Sequence, residues 1–269
     1  MKRKLELESL ERRVLLSAFS YQGSSGEVLC VLKGGGNMTW ELDADKDLHL
    51  SLERTGYSSS LTIKGYADIE SIDINGSLKS IKAKNSDLEG SLDVSGNFLG
   101  SVMLDDIEDG EINVNGPIRS LKVDTIEDTT ISAKTIDKLV SKGSISNSSI
   151  NLDYRNTTNK LVVKENIKDS SIDHFSRYKV KGNLSNVEID AGNNVRTLCI
   201  RGEVFDSIIK TEGCWKKVSV GQSFKDSELY IGYDPDTGEI LHPNLAVSYT
   251  HLRAHETSLH IVCRLLLEK

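Results

Sequence analysis

The sequence predicts an all-β chain folded as a parallel β-solenoid, a β-helix with coils of about twenty residues built from two ten-residue half-repeats. Three features predict it: a recurring apolar pair, a longer phase within that recurrence, and turn residues that return at one point of the phase.

From Gly65 to Gly232 the pattern apolar–spacer–apolar recurs, as in Ile72-Asp73-Ile74, Leu92-Asp93-Val94, Ile112-Asn113-Val114, Ile150-Asn151-Leu152 and Leu198-Cys199-Ile200. In a strand, residues i and i+2 share a side, so each pair points inward and its spacer outward. A half-repeat buries no face alone, whereas stacked coils share one continuous core. The leading residues Leu92, Ile112, Ile131, Ile150, Ile172, Ile189, Ile209 and Leu229 keep the longer phase, at spacings of 20, 19, 19, 22, 17, 20 and 20. Asn75-Gly76, Ser95-Gly96 and Asn115-Gly116 recur where a corner is expected, and positive φ is the expected reason for glycine there. A further apolar site is expected to fill the other corner: Leu88, Ile107, Ile126, Ile145, Ile167, Leu184, Val204 and Phe224. An antiparallel sandwich of short strands also gives short spacings, but it does not require the longer phase or the recurring corner residues.

Composition agrees with strands and tight turns: 269 residues, 38% hydrophobic, three prolines against 21 glycines. Aromatics make up only 6%, so the expected core is aliphatic. The net charge of −7 argues against nucleic acid as the main partner. No apolar run reaches the length of a membrane-spanning helix. Cys30, Cys199, Cys214 and Cys263 lack metal-site spacing. Cys199 is expected to stack beside Ser219, which leaves Cys214 too far along the strand for a bridge.

Residues 64–232 are assigned to the solenoid. Residues 19–63, with strands expected at 28–32, 38–42 and 48–52, are expected to cap its N-terminal edge, and 233–245 read as a linker. Within the linker, Asp234-Pro235-Asp236-Thr237-Gly238-Glu239 resembles the opening of a calcium loop, but it lacks the closing acidic ligand and reads as a turn.

With the phase fixed, the spacers form two outward columns. The first, Asp73, Asp93, Asn113, Ser132, Asn151, Asp173, Asp190, Lys210 and Tyr230, is a polar ladder, read as a solvated strand face because its carboxylates are scattered. The second is read as Lys82, Met103, Lys122, Val140, Val162, Cys199 and Ser219. Its apolar members Met103, Val140, Val162 and Cys199 suggest a contact face for another domain or copy, or a strip covered by the chain's own ends. Asp173, Asp190 and Lys210 are the nearest thing to a catalytic group, yet a ladder of single charges is also an ordinary exposed face. No catalytic residue, metal site or cofactor is assigned.

The segment Leu10-Glu11-Arg12-Arg13-Val14-Leu15-Leu16-Ser17-Ala18 resembles the LEPR-XLL N-terminal domain of large, repeat-rich bacterial proteins, with Arg12 where that family has proline. The matching motif covers residues 10–18 only, residues 1–18 are read as the sorting segment that carries it, and the resemblance implies sorting or export. Residues 246–269 abandon the repeat and resemble a tail translated from sequencing-adapter DNA, so they are read as non-native and the native chain as longer. His251 and His255 in that tail stand at i, i+4, a spacing that can bind zinc on a helix.

The expected function is that of an exported or cell-surface structural or adhesive module without catalytic activity. Its expected partner is a protein, another copy or a surface polysaccharide. The alternatives are a carbohydrate-active β-helix of the lyase or hydrolase type and a self-assembling scaffold resembling bactofilins.

Overall fold

A computed structural model describes residues 17–153, 159–192, 195–213 and 215–231. They form an all-β parallel solenoid of about nine turns with coils near twenty residues, and no helix occurs among the described residues. The chain opens with β1 (Ser17–Gly23), β2 (Gly26–Lys33), β3 (Asn37–Leu42), β4 (Leu48–Thr55) and β5 (Ser60–Lys64).

Register follows the predicted phase. On the first face, Leu50, Ile72, Leu92, Ile112, Ile131 and Ile150 stack in parallel pairs, as do Ile172, Ile189, Ile209 and Leu229 beyond them. On the second face the inward column is Leu61, Ile81, Val102, Leu121, Leu139, Leu161, Tyr178, Leu198 and Val218. Nearly all of these side chains are fully buried. Each contributes about 1.5–3 kcal/mol of transfer free energy, which sets the core's preference for branched aliphatics that fill one level per coil.

The apolar site expected to fill a corner is instead a third strand. Ile69, Leu88, Ile107, Ile126, Ile145, Ile167, Leu184, Val204 and Phe224 pair in sequence as a third parallel ladder, two residues wide over most of the stack. The coil is therefore three-sided, with two long faces and one short one. A two-residue strand leaves almost no period-two signal, so the sequence shows its inward residue and hides the strand.

Where the third face turns into the first, one residue in each of the seven coils from Ile107 onward adopts the left-handed backbone. These are Asp109, Asp128, Asn147, Asp169, Asn186, Asp206 and Asp226, with φ between 46° and 53°. Asp and Asn are the residues that tolerate this region best after glycine. The next position carries a buried hydroxyl in Thr129, Ser148, Ser170, Ser207 and Ser227. Each donates to the carbonyl two residues back at 2.6–2.8 Å. The Oγ atoms of Ser148, Ser170, Ser207 and Ser227 also accept the N–H of Thr129, Ser148, Val187 and Ser207 from the preceding coil, at 3.0–3.2 Å. Stacked hydroxyls thus knit the corner from coil to coil, with Val187 the one interruption between Ser170 and Ser207. Ser207→Ala strands the Val187 N–H without its acceptor and is expected to cost about 1–3 kcal/mol in a urea melt. An unchanged midpoint would show that the hydroxyl column carries no stability.

The glycine corner needs a correction. Gly76 has a positive φ of 138°, but Gly96 and Gly116 do not. Their requirement is close approach: a Cβ on Gly96 would lie 2.2 Å from the Gly76 carbonyl, and one on Gly116 would lie 2.2 Å from that of Asn97.

At the N-terminal end, β4 and β5 already pair in parallel with the strands Asp68–Gly76 and Leu78–Lys82, so the stack begins inside the segment expected to cap it. The antiparallel neighbours are β3 beside β4, β2 beside β5, and β1 beside β2. Phe19 and Tyr21 of β1 stack with Trp40 of β3, the Phe19 and Trp40 rings lying 4.3 Å apart with planes 5° from parallel. Phe19, Tyr21, Met38 and Leu42 pack against the core. Cys30 is wholly buried, and burial pushes its thiol up to about 12, so it is a neutral core residue.

Candidate functional site

Alternation on each strand leaves outward side chains in straight columns, spaced by the strand separation of about 4.8 Å. These columns are the candidate functional surfaces.

On the first face, Ser51, Asp73, Asp93, Asn113, Ser132 and Asn151 stack in register, and Asp173, Asp190, Lys210 and Tyr230 continue the column beyond them. Asn113 Nδ2 donates to Asp93 Oδ1 at 3.0 Å, one rung of a ladder joined along the axis. A flanking column of Ser71, Ser91, Glu111, Thr130, Ser149 and Ser171 is likewise polar, and short except at Glu111. The first-face surface is thus a flat strip of hydroxyls, amides and carboxylates. At its N-terminal end a shallow groove of about 370 Å³ is lined by Thr39, Glu41, His49, Ser51, Ser71 and Asp73, together with Trp40 and Leu50. There His49 Nδ1 and Ser71 Oγ share a 2.9 Å hydrogen bond.

Asp173, Asp190 and Lys210 share one column, as expected. Lys210 Nζ is held by Glu188 Oε1 at 2.7 Å, and Asp190 Oδ1 accepts the Gly192 N–H. Both groups are therefore engaged in contacts of the fold. No group of His, Cys, Asp and Glu side chains suited to a metal ion occurs among the described residues.

On the second face the outward column is Lys82, Met103, Lys122, Val140, Val162, Lys179, Cys199 and Ser219. The sequence reading omits Lys179, because Tyr178-Lys179-Val180 does not look like an aliphatic pair. The structure places Lys122 between Met103 and Val140, and Lys179 between Val162 and Cys199, so the apolar strip is not continuous. Only Val140 and Val162 are direct neighbours within it. Cys199 does lie beside Ser219 and is a free thiol. Cys214, the acidic turn at 234–239, the paired histidines and all of the LEPR-XLL-like segment except Ser17 and Ala18 lie outside the described residues.

Comparison with protein families, with curated proteins and with solved structures finds no match. The surfaces must therefore be read from their own chemistry.

Sequence reasoning missed one such surface, the N-terminal half of the third face. Glu108 stacks on Glu127, with Glu70 and Glu89 at the same phase before them. Asp87 Oδ1 accepts the Asp106 N–H at 3.0 Å, and Asp106 Oδ1 accepts the Thr125 N–H at 2.8 Å. The Tyr66 hydroxyl donates to Asp87 Oδ2. Desolvation, followed by the surrounding carboxylates, raises the pKa of Asp47, Glu89, Asp105 and Glu108 above the usual acid range. The recurrence of glutamate one residue after each of Ile69, Leu88, Ile107 and Ile126 carried this signal in the sequence.

A raised carboxyl pKa means that the folded chain binds protons more readily than the unfolded one. The stability these four groups withhold at neutral pH is regained as pH falls through their folded pKa values toward the ordinary 4.5 of Glu and 3.8 of Asp. Asp43 and Asp169 act oppositely, because backbone N–H groups led by that of Asp47 lower the first and Asn186 the second. The contribution of those two is lost only below the ordinary 3.8 of Asp, so thermal melts are expected to rise slightly as pH falls from 7 toward that range, before general acid denaturation sets in. Glu89→Gln/Glu108→Gln is expected to flatten that rise; an undiminished rise in the double variant would assign it elsewhere.

Proposed function

We propose that this chain is a structural or adhesive module of an exported or cell-surface protein, working through the faces of a rigid rod and not by catalysis. The observation that carries this reading is the polar ladder from Ser51 to Asn151, a flat strip of short side chains in register along the axis. Such a strip offers many weak hydrogen bonds to an extended partner, with only the shallow groove at its N-terminal end for a small one. The likeness of residues 1–18 to a sorting segment supports export. No helix of the described residues is long and apolar enough to cross a membrane.

The test is co-sedimentation of the full chain with insoluble polysaccharides and cell-envelope material, with products assayed in the same tubes. Retention without new chain ends supports the module. Release of shortened saccharides would replace it with the lyase or hydrolase reading.

A second reading is self-assembly, favoured by the direct stacking of Val140 on Val162 in the outward column. It expects salt-resistant filaments by electron microscopy that Val162→Asp disperses, and a strictly monomeric protein would exclude it.

A further inference from the structure

Cations gather on one part of the rod, the C-terminal half of the second face. The strands Lys138–Ser141, Lys160–Val163, Arg177–Val180, Thr197–Ile200 and Lys217–Val220 stack in register. Lys138, Lys160 and Arg177 therefore lie directly over one another, followed by Thr197 and Lys217. The residue after each of the first four strands forms a second row, Lys142, Lys164, Lys181 and Arg201. It is held in step because the N–H groups of Lys164, Lys181 and Arg201 bond to the carbonyls of Ser141, Val163 and Val180 one coil back. The two rows run along the axis as rails, about 13 Å apart for four residues at ~3.3 Å each. Between them lies a half-buried floor of Val140, Val162, Lys179 and Cys199. Among the described residues, only Lys142 of these cations makes an ion pair, with Asp124 at 2.8 Å.

Like charges placed opposite one another in a sheet destabilise it. The chain as a whole carries −7, so the rails are a local arrangement and not a by-product of composition. Five coils hold eight cations in two straight lines at a spacing of ~4.8 Å, the first line interrupted at Thr197 and the second four coils long, which suits a ligand that is linear, anionic and periodic.

We propose that this face binds an acidic polysaccharide laid along the rod, its carboxylate or sulfate groups on the two rails and its sugar rings over the Val140–Val162 floor. The proposal rests on the adhesive reading above and names its ligand. A pyranose residue is comparable in length to one strand spacing of ~4.8 Å, so successive acidic groups meet successive coils. Arg177 adds a planar fork that matches a carboxylate in bidentate fashion. Nucleic acid fits less well. Single strands are held by aromatic stacking platforms, and no outward position of these five strands is aromatic. A duplex advances ~3.4 Å per phosphate on each strand, out of step with the coils. A second copy presenting its acidic third face is the remaining polyanion.

The experiment titrates the full chain with a labelled oligogalacturonate and, separately, a sulfated oligosaccharide, with a neutral oligosaccharide for comparison. Lys160→Glu/Arg177→Glu is set against Lys33→Glu/Lys64→Glu, which makes the same charge change on β2 and β5, and thermal melts confirm that both variants fold. The expected result is binding of one or both acidic sugars, weakened by added salt, by about tenfold or more in the rail variant and by less than about twofold in the other. Preference between the two ligands tells carboxylate from sulfate recognition. Acidic-sugar binding that both variants weaken equally, or neither weakens, overturns the rail site while leaving the adhesive reading intact. Rail-dependent binding of a DNA duplex without sugar binding overturns the choice of ligand. A low-salt dimer abolished by the rail variant reassigns the face to a second copy. Loss of retention on every polysaccharide and envelope fraction would remove the adhesive reading itself.

Discussion

Replacing Gly96 by valine is expected to destabilise the solenoid by at least about 3 kcal/mol, or to prevent folding of its N-terminal half. The cause is contact and not backbone conformation, because Gly96 does not have a positive φ. A Cβ there would stand 2.2 Å from both atoms of the Gly76 carbonyl and 2.6 Å from the Ser77 nitrogen. Those atoms are backbone of the adjacent coil and cannot swing aside as a side-chain terminus could. Relief requires the two coils to separate, which strains the Gly96 N–H to Gly76 bond of 3.1 Å and the neighbouring bond from the Leu78 N–H to the Phe98 carbonyl. Gly56 is the natural control: its Cβ would meet nothing within 4 Å, and Gly56→Ala is expected to stay within about 0.5 kcal/mol of the parent. Urea denaturation of the three proteins decides the matter. Equal midpoints for Gly96→Val and the parent would show that the coils do not approach so closely.

That glycine illustrates how far the sequence can be read. The position of Gly96 in the phase was legible, because Asn-Gly and Ser-Gly pairs recur at fixed intervals. Its reason was not, since a residue packed between two coils and a residue with left-handed backbone look alike in one dimension. The first-face ladder was legible residue by residue, for an alternating strand declares both its inward and its outward side. The third ladder was half legible: Ile107 and Ile126 mark its inward positions, but strands two residues long carry no period. The hydroxyl column was hidden for a different reason. Ser148 and Ser170 sit in turn-like sequence, and only the structure shows that turns from successive coils hydrogen-bond to one another. The cationic rails depend on the same stacking. Lys138, Lys160 and Arg177 are scattered along the chain and become a row only once the spacings of 22 and 17 residues are absorbed in turns.

The second large effect is expected at Tyr178, the residue that broke the aliphatic pattern. It occupies the inward second-face column between Leu161 and Leu198 and is 1% exposed. A ring fits there because the adjoining turns supply aromatic partners in place of aliphatic ones. Phe175 meets it edge-on at 6.0 Å, and Trp215, which leads into the second-face strand two coils on, lies at the same distance. Its hydroxyl oxygen accepts the buried Phe175 N–H at 3.1 Å, and burial raises its pKa well above the ordinary phenol value, so it stays neutral. Tyr178→Ala removes the ring, the acceptor and two aromatic contacts and is expected to cost about 3–5 kcal/mol. Tyr178→Phe keeps the packing and strands only the Phe175 N–H, for about 1–3 kcal/mol. Tyr178→Leu restores the column's usual residue yet is expected to remain well below the parent, because Phe175 and Trp215 are shaped to a ring and not to an aliphatic side chain. The order parent, Phe, Leu, Ala in chemical denaturation would identify this coil as an aromatic level of the core. A leucine variant as stable as the parent would mean that the column accepts any apolar residue, and that the aromatic trio adds nothing beyond area.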